Sequence, residues 1–571
     1  MKKSFIVGLG MLLSLSAFSL DIIDPSDMIY RDIEFWDEQG YFKQLPDIRP
    51  YSAQLILVLL DQVMEKGTAD DARLAKTYYD EINQGFRAEI SAQGSTYYGN
   101  DGIGDTTGSL ILDIRGMLGD KLSIWGEVNA NGVLFNEDVD YYMYDDDVPY
   151  GERYVVNTKE DAGSFMGIDL MGGTSSMLSY GTDKLYTNMG FYRSSFGPFQ
   201  EDGVVISDEA YQQGHFELTW LDEYFTYSML MLSLIGTDNT GEEHYGEIDG
   251  ESYDDDDTND EDDDDDTYNK FLVLHSYSWA PYKWLDVGFF ESVVYGERFE
   301  PVYLLPFSYL FYSQGYSGFA DNSLMGLEVT TKLPENIEFN GIVYVDDVNF
   351  NEMVKFNFDT KMKMALETGL SWSPGLSWLR RLSMDYTAVM PYMYTHYDWH
   401  STYDANDFNA DNYTHNGANL GTTLSPNSDR INLTGYYRVN DASELKLFGN
   451  WIRHGNASDG IDYDNPADEV ETDGSIFDNG IDDYGELYFQ DSLPFLTQDV
   501  LEKVLQFGLE FNTTVDMPFQ DIERYYGMEM TVGYTFEMIW NSGRNSSNGY
   551  APEEGDDEVN QYLSLTMRFF F

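Results

Sequence analysis

Carboxylates dominate the residues of this chain that could do chemistry. Asp and Glu number 101 against 32 Lys and Arg, for a formal charge of -69. Residues 236–267 hold 17 of these acids and no Lys or Arg, with unbroken runs at Asp254–Asp257 and Asp262–Asp266. Carboxylate oxygens are the ligands calcium prefers. No stretch has EF-hand spacing; Asp459-Gly460-Ile461-Asp462-Tyr463-Asp464 is a weak imitation. The expected role is a solvated acidic loop, with loosely bound Ca2+ as the alternative and no other cofactor. The chain lacks H-E-x-x-H, G-x-S-x-G and P-loop motifs. It has no cysteine, which excludes disulfides and thiol chemistry. A non-catalytic protein is expected. Its negative field repels nucleic acid and attracts divalent cations and basic surfaces.

The elements that must position these groups are β-strands with two unlike faces. The chain ends Leu563-Ser564-Leu565-Thr566-Met567-Arg568-Phe569-Phe570-Phe571. Side chains alternate along a strand, so Leu563, Leu565, Met567, Phe569 and Phe571 share a greasy face. A terminal strand closed by Phe is the usual last stave of a bacterial outer-membrane barrel. Met528 through Trp540, Leu382-Met384-Tyr386 and Ile431-Leu433-Tyr437 alternate in the same way. Their polar faces suit a wet lumen. Residues 1–19 have the pattern of a signal peptide: Lys2 and Lys3, an apolar core from Phe5 to Leu15, and Ala17-Phe18-Ser19 as the cleavage site. No later apolar run reaches the 18 to 20 or so residues that a membrane-crossing helix needs. The outer membrane of a diderm bacterium is therefore the expected address.

Residues 20–84 read as a small periplasmic helical domain, packed on itself or under the barrel. Ser26 can cap a helix that runs to about Gln39, Ser52 one over Ala53 to Lys66, and Thr68 one over Ala69 to Asn83. Residues 85–571 form the barrel, with long acidic extracellular loops. Barrel turns are short on the periplasmic side and long outside. Short links fall at Gly119-Asp120, Gly172 to Thr174, Asp222-Glu223, Pro281 to Lys283, Pro334 to Asn336, Ser373 to Ser377, Asn440 to Ser443 and Asp516 to Gln520. Eight such turns and two periplasmic termini require 18 strands. The fold class is thus all-β: a transmembrane antiparallel β-barrel of about 18 strands with a small N-terminal α-helical domain.

On that frame a few single residues stand out. Glu291 shares the outward phase of Leu285, Val287, Phe289, Val293 and Tyr295, where a carboxylate is costly at mid-bilayer. Either it lies above the apolar band or a bulge turns it inward; a structural hydrogen bond and a ligand contact are both open. Asp346 and Asn322 fall in the lumen phase. Residues 301–321 are too apolar for a solvated loop, yet parity puts them outside. They either fold into the barrel mouth or extend the strands above the membrane. Tyr312 and Tyr316 within this segment could stack on sugar rings.

A series of blocks resembles the Wzi family of capsule-assembly outer-membrane proteins. They are Leu274-His275 through Glu291-Ser292-Val293-Val294-Tyr295-Gly296, then Tyr303-Leu304-Leu305-Pro306-Phe307, Asp321-Asn322-Ser323-Leu324, and Ile342-Val343-Tyr344-Val345-Asp346-Asp347. Where that family would read Trp-Gly-Pro-Gly, this chain has Phe196-Gly197-Pro198-Phe199 after Arg193-Ser194-Ser195. The resemblance implies an 18-stranded barrel, a periplasmic helical bundle, loops that occlude the pore and a lectin-like role in retaining polysaccharide. Arg193 then joins Glu291, Tyr312, Tyr316, Asn322 and Asp346 as candidate ligand-binding residues. The expected partners are outer-membrane lipid, surface polysaccharide and, during insertion, the barrel-assembly machinery; a monomer is expected. A diffusion channel or transporter is the alternative, with a structural surface protein as a third reading.

Overall fold

A computed structural model describes residues 20–99, 102–134, 148–151, 163–165, 168–199, 201–235, 237–238, 270–296, 298–317, 321–348, 355, 362–376, 378–395, 408–409, 411–415, 418–440, 442–455, 458–461, 469–472, 495–516, 527–543 and 552–570. The signal-peptide segment, the Asp runs at 254–266 and Phe571 lie outside these residues.

Among the described residues, 18 antiparallel strands close into a barrel, from Arg87–Gly99 to Asp557–Phe570. Closure is direct: the last strand pairs with the first, Phe570 opposite Ser91 and Leu563 opposite Tyr98. The strands run from 8 residues (Leu185–Tyr192) to 16 (Gly102–Met117), and a tilted strand needs about 9 to 11 to cross a bilayer. One expected turn is displaced, and that at Asp516 to Gln520 lies, beyond Asp516, outside the described residues. Gly172-Gly173-Thr174 lies inside the strand Ile168–Gly181, and the chain reverses at 182–184 instead. These glycines serve a cross-strand contact, since a Cβ on Gly173 would stand 2.6 Å from Asn129 Oδ1.

Three helices precede the barrel: α1 Met28–Glu38, α2 Ala53–Lys66 and α3 Ala69–Ile82. Ser52 and Thr68 cap α2 and α3 as expected, accepting from Leu55 N and Asp71 N. For α1 the cap is Asp27, not Ser26; its carboxylate accepts from Ile29 N at 2.9 Å. The helices pack into the short-turn end of the lumen instead of hanging beneath it. The α2 stripe of Leu55, Ile56, Leu59, Leu60 and Val63 shares one core with Trp125, Met177, Tyr186 and Tyr192 of the barrel wall. Gly181 permits this approach, because a Cβ there would lie 2.5 Å from Gln54 Cβ.

Charge fixes the orientation of α1. Its acids meet lumen-facing bases: Asp32 with Arg380 and Arg438, Asp37 with Lys332, and Glu38 with Arg381, at 2.5 to 3.0 Å. Connections from the opposite rim also turn inward. Val204, Val205, Ile206, Met393, Tyr394, Tyr413, Leu420 and Leu424 pack on wall residues such as Leu230, Leu272, Phe290 and Ile342. Two residues from each layer join them, Ile48–Arg49 pairing antiparallel with Ser195–Phe196.

The segment after Gly296 does neither of the two things expected of it. Its 3-10 turn Pro301–Leu304 and helix α4, Leu310–Ser317, fold down the outer wall, against Val273, Val293 and Tyr295.

Candidate functional site: a charged chamber inside the barrel

The lumen retains a chamber of about 750 Å³ between the helices and the inward connections. Its wall combines backbone-tied acids, a smaller set of bases and a ladder of amides and hydroxyls. The ladder arises because lumen-phase residues on neighbouring strands lie side by side. Asn432 Nδ2 donates to Asn450 Oδ1 at 2.9 Å, Asn450 Nδ2 to Gln506 Oε1 at 2.9 Å, and Thr531 Oγ1 to Asn512 Oδ1 at 2.6 Å.

Asp202 organises the roof. Its carboxylate accepts from Ser207 Oγ, Thr422 Oγ1, Thr423 N, Thr423 Oγ1 and Arg430 Nη1, at 2.6 to 3.1 Å. Burial alone raises such a group; Arg430 and the Thr423 and Thr422 donors outweigh it and hold the carboxyl below its ordinary value. Beside it, Glu201 meets Lys446 at 2.6 Å and accepts from the Tyr436 hydroxyl. Burial again opposes, but Lys446 brings this carboxyl down to about 2. Asp208, which accepts from Asp202 N at 2.7 Å, is pushed up by burial and by Glu209.

Arg49 pins the floor to the roof. Its guanidinium donates to Ser195 Oγ at 3.2 Å, to the carbonyls of Gly197 and Phe199 at 3.1 and 2.5 Å, and to Glu34. Gly197 has φ +103°, a conformation that favours glycine and brings this carbonyl within reach.

The six candidate residues do not converge. Arg193 pairs with Asp24 at 2.7 Å, so it ties barrel to helical segment. Asn322 faces the lumen at the rim and donates to the Asp411 carbonyl at 3.0 Å, anchoring an inward connection. Asp346 sits at a register shift between Val345 and Asp347, partly exposed. Glu291 is on the outer wall at 2 % exposure, neither above the apolar band nor turned inward; it is covered. Its Oε2 accepts from Leu310 N at 2.9 Å. Tyr312 is 70 % exposed on that same outer face, away from the mouth. Tyr316 lies in α4, with its side chain outside the described residues. Among the described residues no group of three or more His, Asp or Glu is placed to hold a metal ion.

Asp202, Glu201, Arg430, Lys446 and Arg49 were not singled out from sequence. The available signal was scarcity: with 32 bases in 571 residues, each lumen-phase Arg or Lys stood ready for a carboxylate partner.

No family model matches the sequence, and no curated protein matches it. Solved structures do. The chain aligns over 94 % of its length, and 97 % of the other, with Wzi, described as an outer-membrane protein involved in group 1 capsule assembly in Escherichia coli and as a carbohydrate-binding β-barrel. Identity is 10 % and the TM-score 0.51. The chain has the Wzi-type barrel fold. The resemblance carried by the blocks at 274–347 is thus matched in the fold, and the outer membrane of a diderm bacterium is its location. Two Pseudomonas aeruginosa barrels align more loosely. OccD3 does so at 13 % identity over 86 % of this chain and 92 % of its own, TM-score 0.39. OprD does so at 9 % over 85 % and 93 %, TM-score 0.38.

Proposed function

We propose that this chain is a non-catalytic outer-membrane barrel that binds or organises surface polysaccharide at the cell surface, with its lumen closed to free diffusion. One observation carries the reading: two layers of chain occupy the lumen, tied to each other through Arg49 and to the barrel wall through the Asp202–Arg430 pair. A diffusion pore has no use for buried guanidinium–carboxylate ties across its bore. That Wzi is described as carbohydrate-binding adds the ligand class. Outer-membrane lipid and, at insertion, the barrel-assembly machinery are its other partners, and it acts as a monomer.

The chamber favours a second reading. Opposed charges and an amide ladder around about 750 Å³ also suit a small polar solute in transit, which would make the chain a transporter. Deletion of the gene separates the two. The polysaccharide reading expects cell-associated polymer to fall while the total made is unchanged, with purified chain retaining that polymer on a column. Unchanged surface polymer with slower solute uptake selects the transporter. If neither changes, a structural surface protein remains.

A further inference from the structure

The connection between the strands Leu285–Gly296 and Asn322–Leu333 departs in composition from the other long connections, and in direction from the inward ones described above. Residues 301–317 contain no Asp, Glu, Lys or Arg, in a chain 23 % charged. Strand parity fixes which side of the wall it covers. Phe290 and Val294 belong to the lumen core and Ser292 Oγ meets the Tyr344 hydroxyl there at 2.5 Å. Phe289, Glu291, Val293 and Tyr295 therefore point outward.

Tyr303 and Leu310 pack on that outward face with Val273, Val293 and Tyr295, and all five are sealed from solvent. On bare wall nearby the outward residues are open, Trp279 at 54 % and Leu327 at 62 %. Phe307 lies with its ring 5.7 Å from Tyr227 and 5.6 Å from Tyr277, and Tyr309 is 6.3 Å from Phe289. Phe289 is seven residues below Gly296 on its strand. At about 3.3 Å per residue and a tilt near 40°, the segment descends roughly 18 Å, well into an apolar band about 25 Å tall.

Irregular backbone at that depth must find partners inside the protein. It does. Leu310 N donates to Glu291, while turns within the segment satisfy Tyr303 N, Leu305 N, Ser308 N and Ser313 N. Beneath the segment, His275 lies directly across the strand pair from Glu291, its Nδ1 3.5 Å from the Tyr277 hydroxyl. At the rim, Arg298 clamps both oxygens of Asp321 at 2.9 and 2.6 Å, and Ser323 Oγ donates to Gln314 at 2.7 Å. The side turned away from the barrel is apolar: Phe299, Leu305, Phe307, Phe311 and Tyr312 are all exposed.

We propose that residues 298–317 form a membrane-embedded flap whose outer face binds the acyl chains of outer-membrane lipid, held on the wall by the Glu291 carboxylate and by Tyr303 and Leu310 packed on Val273, Val293 and Tyr295. Acyl chains are the occupant because residues 301–317 carry no charge and their exposed face continues the lipid-facing wall of Trp279 and Leu327. The odd carboxylate of Glu291 thereby has a purpose: it supplies the acceptor that the start of α4 would otherwise lack in hydrocarbon.

The absence of cysteine makes the test direct. Full-length protein carrying Phe307→Cys, labelled with bimane and reconstituted in liposomes, should lose at least half its fluorescence to lipids brominated on the acyl chain and none to aqueous iodide. Quenching by iodide and not by brominated lipid would overturn the proposal. Protection from both, with the protein migrating as an oligomer, would overturn it too, since a second copy would then cover the face. Adding Glu291→Leu to the labelled variant should raise iodide quenching several-fold while the barrel keeps its heat-modifiable gel mobility. No change in such folded protein would overturn the assigned role of Glu291.

Discussion

Asp202 is the residue on which most of the roof depends. Asp202→Ala removes the acceptor from five donors and leaves Arg430 buried without this partner. Breaking a buried ion pair of this kind costs about 3 to 5 kcal/mol. Amide exchange in residues 201–207 should rise by two or more orders of magnitude, while exchange in the barrel strands stays as it was. Asp202→Asn, which keeps part of the acceptor set, should fall between. An unchanged exchange rate in the Ala variant would mean that the roof is held by its apolar packing alone. The same reasoning explains why Arg193 is better read as structure than as a ligand contact. In a chain this acidic, a base facing inward meets a carboxylate of its own chain first, here Asp24.

At the scale of elements, the entry to α1 carries a pH dependence. Burial, helped by Asp24, pushes the Asp21 carboxyl up to about 7, and burial pushes Asp27 to about 8. Unfolded, both titrate near 3.9. Between about pH 4 and 8 the folded chain thus holds protons that the unfolded chain has lost, so stability falls as pH rises and the loss is complete above about 8. Limited proteolysis should release the helical segment at lower urea at pH 9 than at pH 6. Asp27→Asn should shrink that difference, and an equal midpoint at both pH values would contradict the assignment. Much at this scale was legible beforehand. The strand count followed from turn parity, and the caps at Ser52 and Thr68 from residue type and spacing. The direction of the long connections was not. Alternation says which face of a strand a residue occupies, but nothing in an apolar stretch such as 301–317 distinguishes burial in the lumen from burial against lipid. The out-of-phase Glu291 was the one local sign, and its partner lay 19 residues away. The inward connections were hidden for a related reason: Val204-Val205-Ile206 is three residues long and has no period to read.

For the molecule as a whole, the charge of -69 and the proposed closure of the lumen make separate predictions. The acids concentrate in the connections, so calcium bound there does not hold the barrel together. EDTA should leave the thermal unfolding transition within a degree or so, and a drop of ten degrees would reveal a structural site. Closure is a matter of packing. The helices share a core with Trp125, Met177, Tyr186 and Tyr192, and the inward connections share another with the opposite wall. A pore needs these layers to separate from each other and from the wall. The most direct test is single-channel recording of the purified full-length protein in a planar bilayer at neutral pH. No steady conductance is expected beyond brief, rare events, with sustained openings appearing once Arg49→Ala and Asp202→Ala together release the roof from the floor and from the wall. A steady, large conductance from the unmodified chain would contradict it.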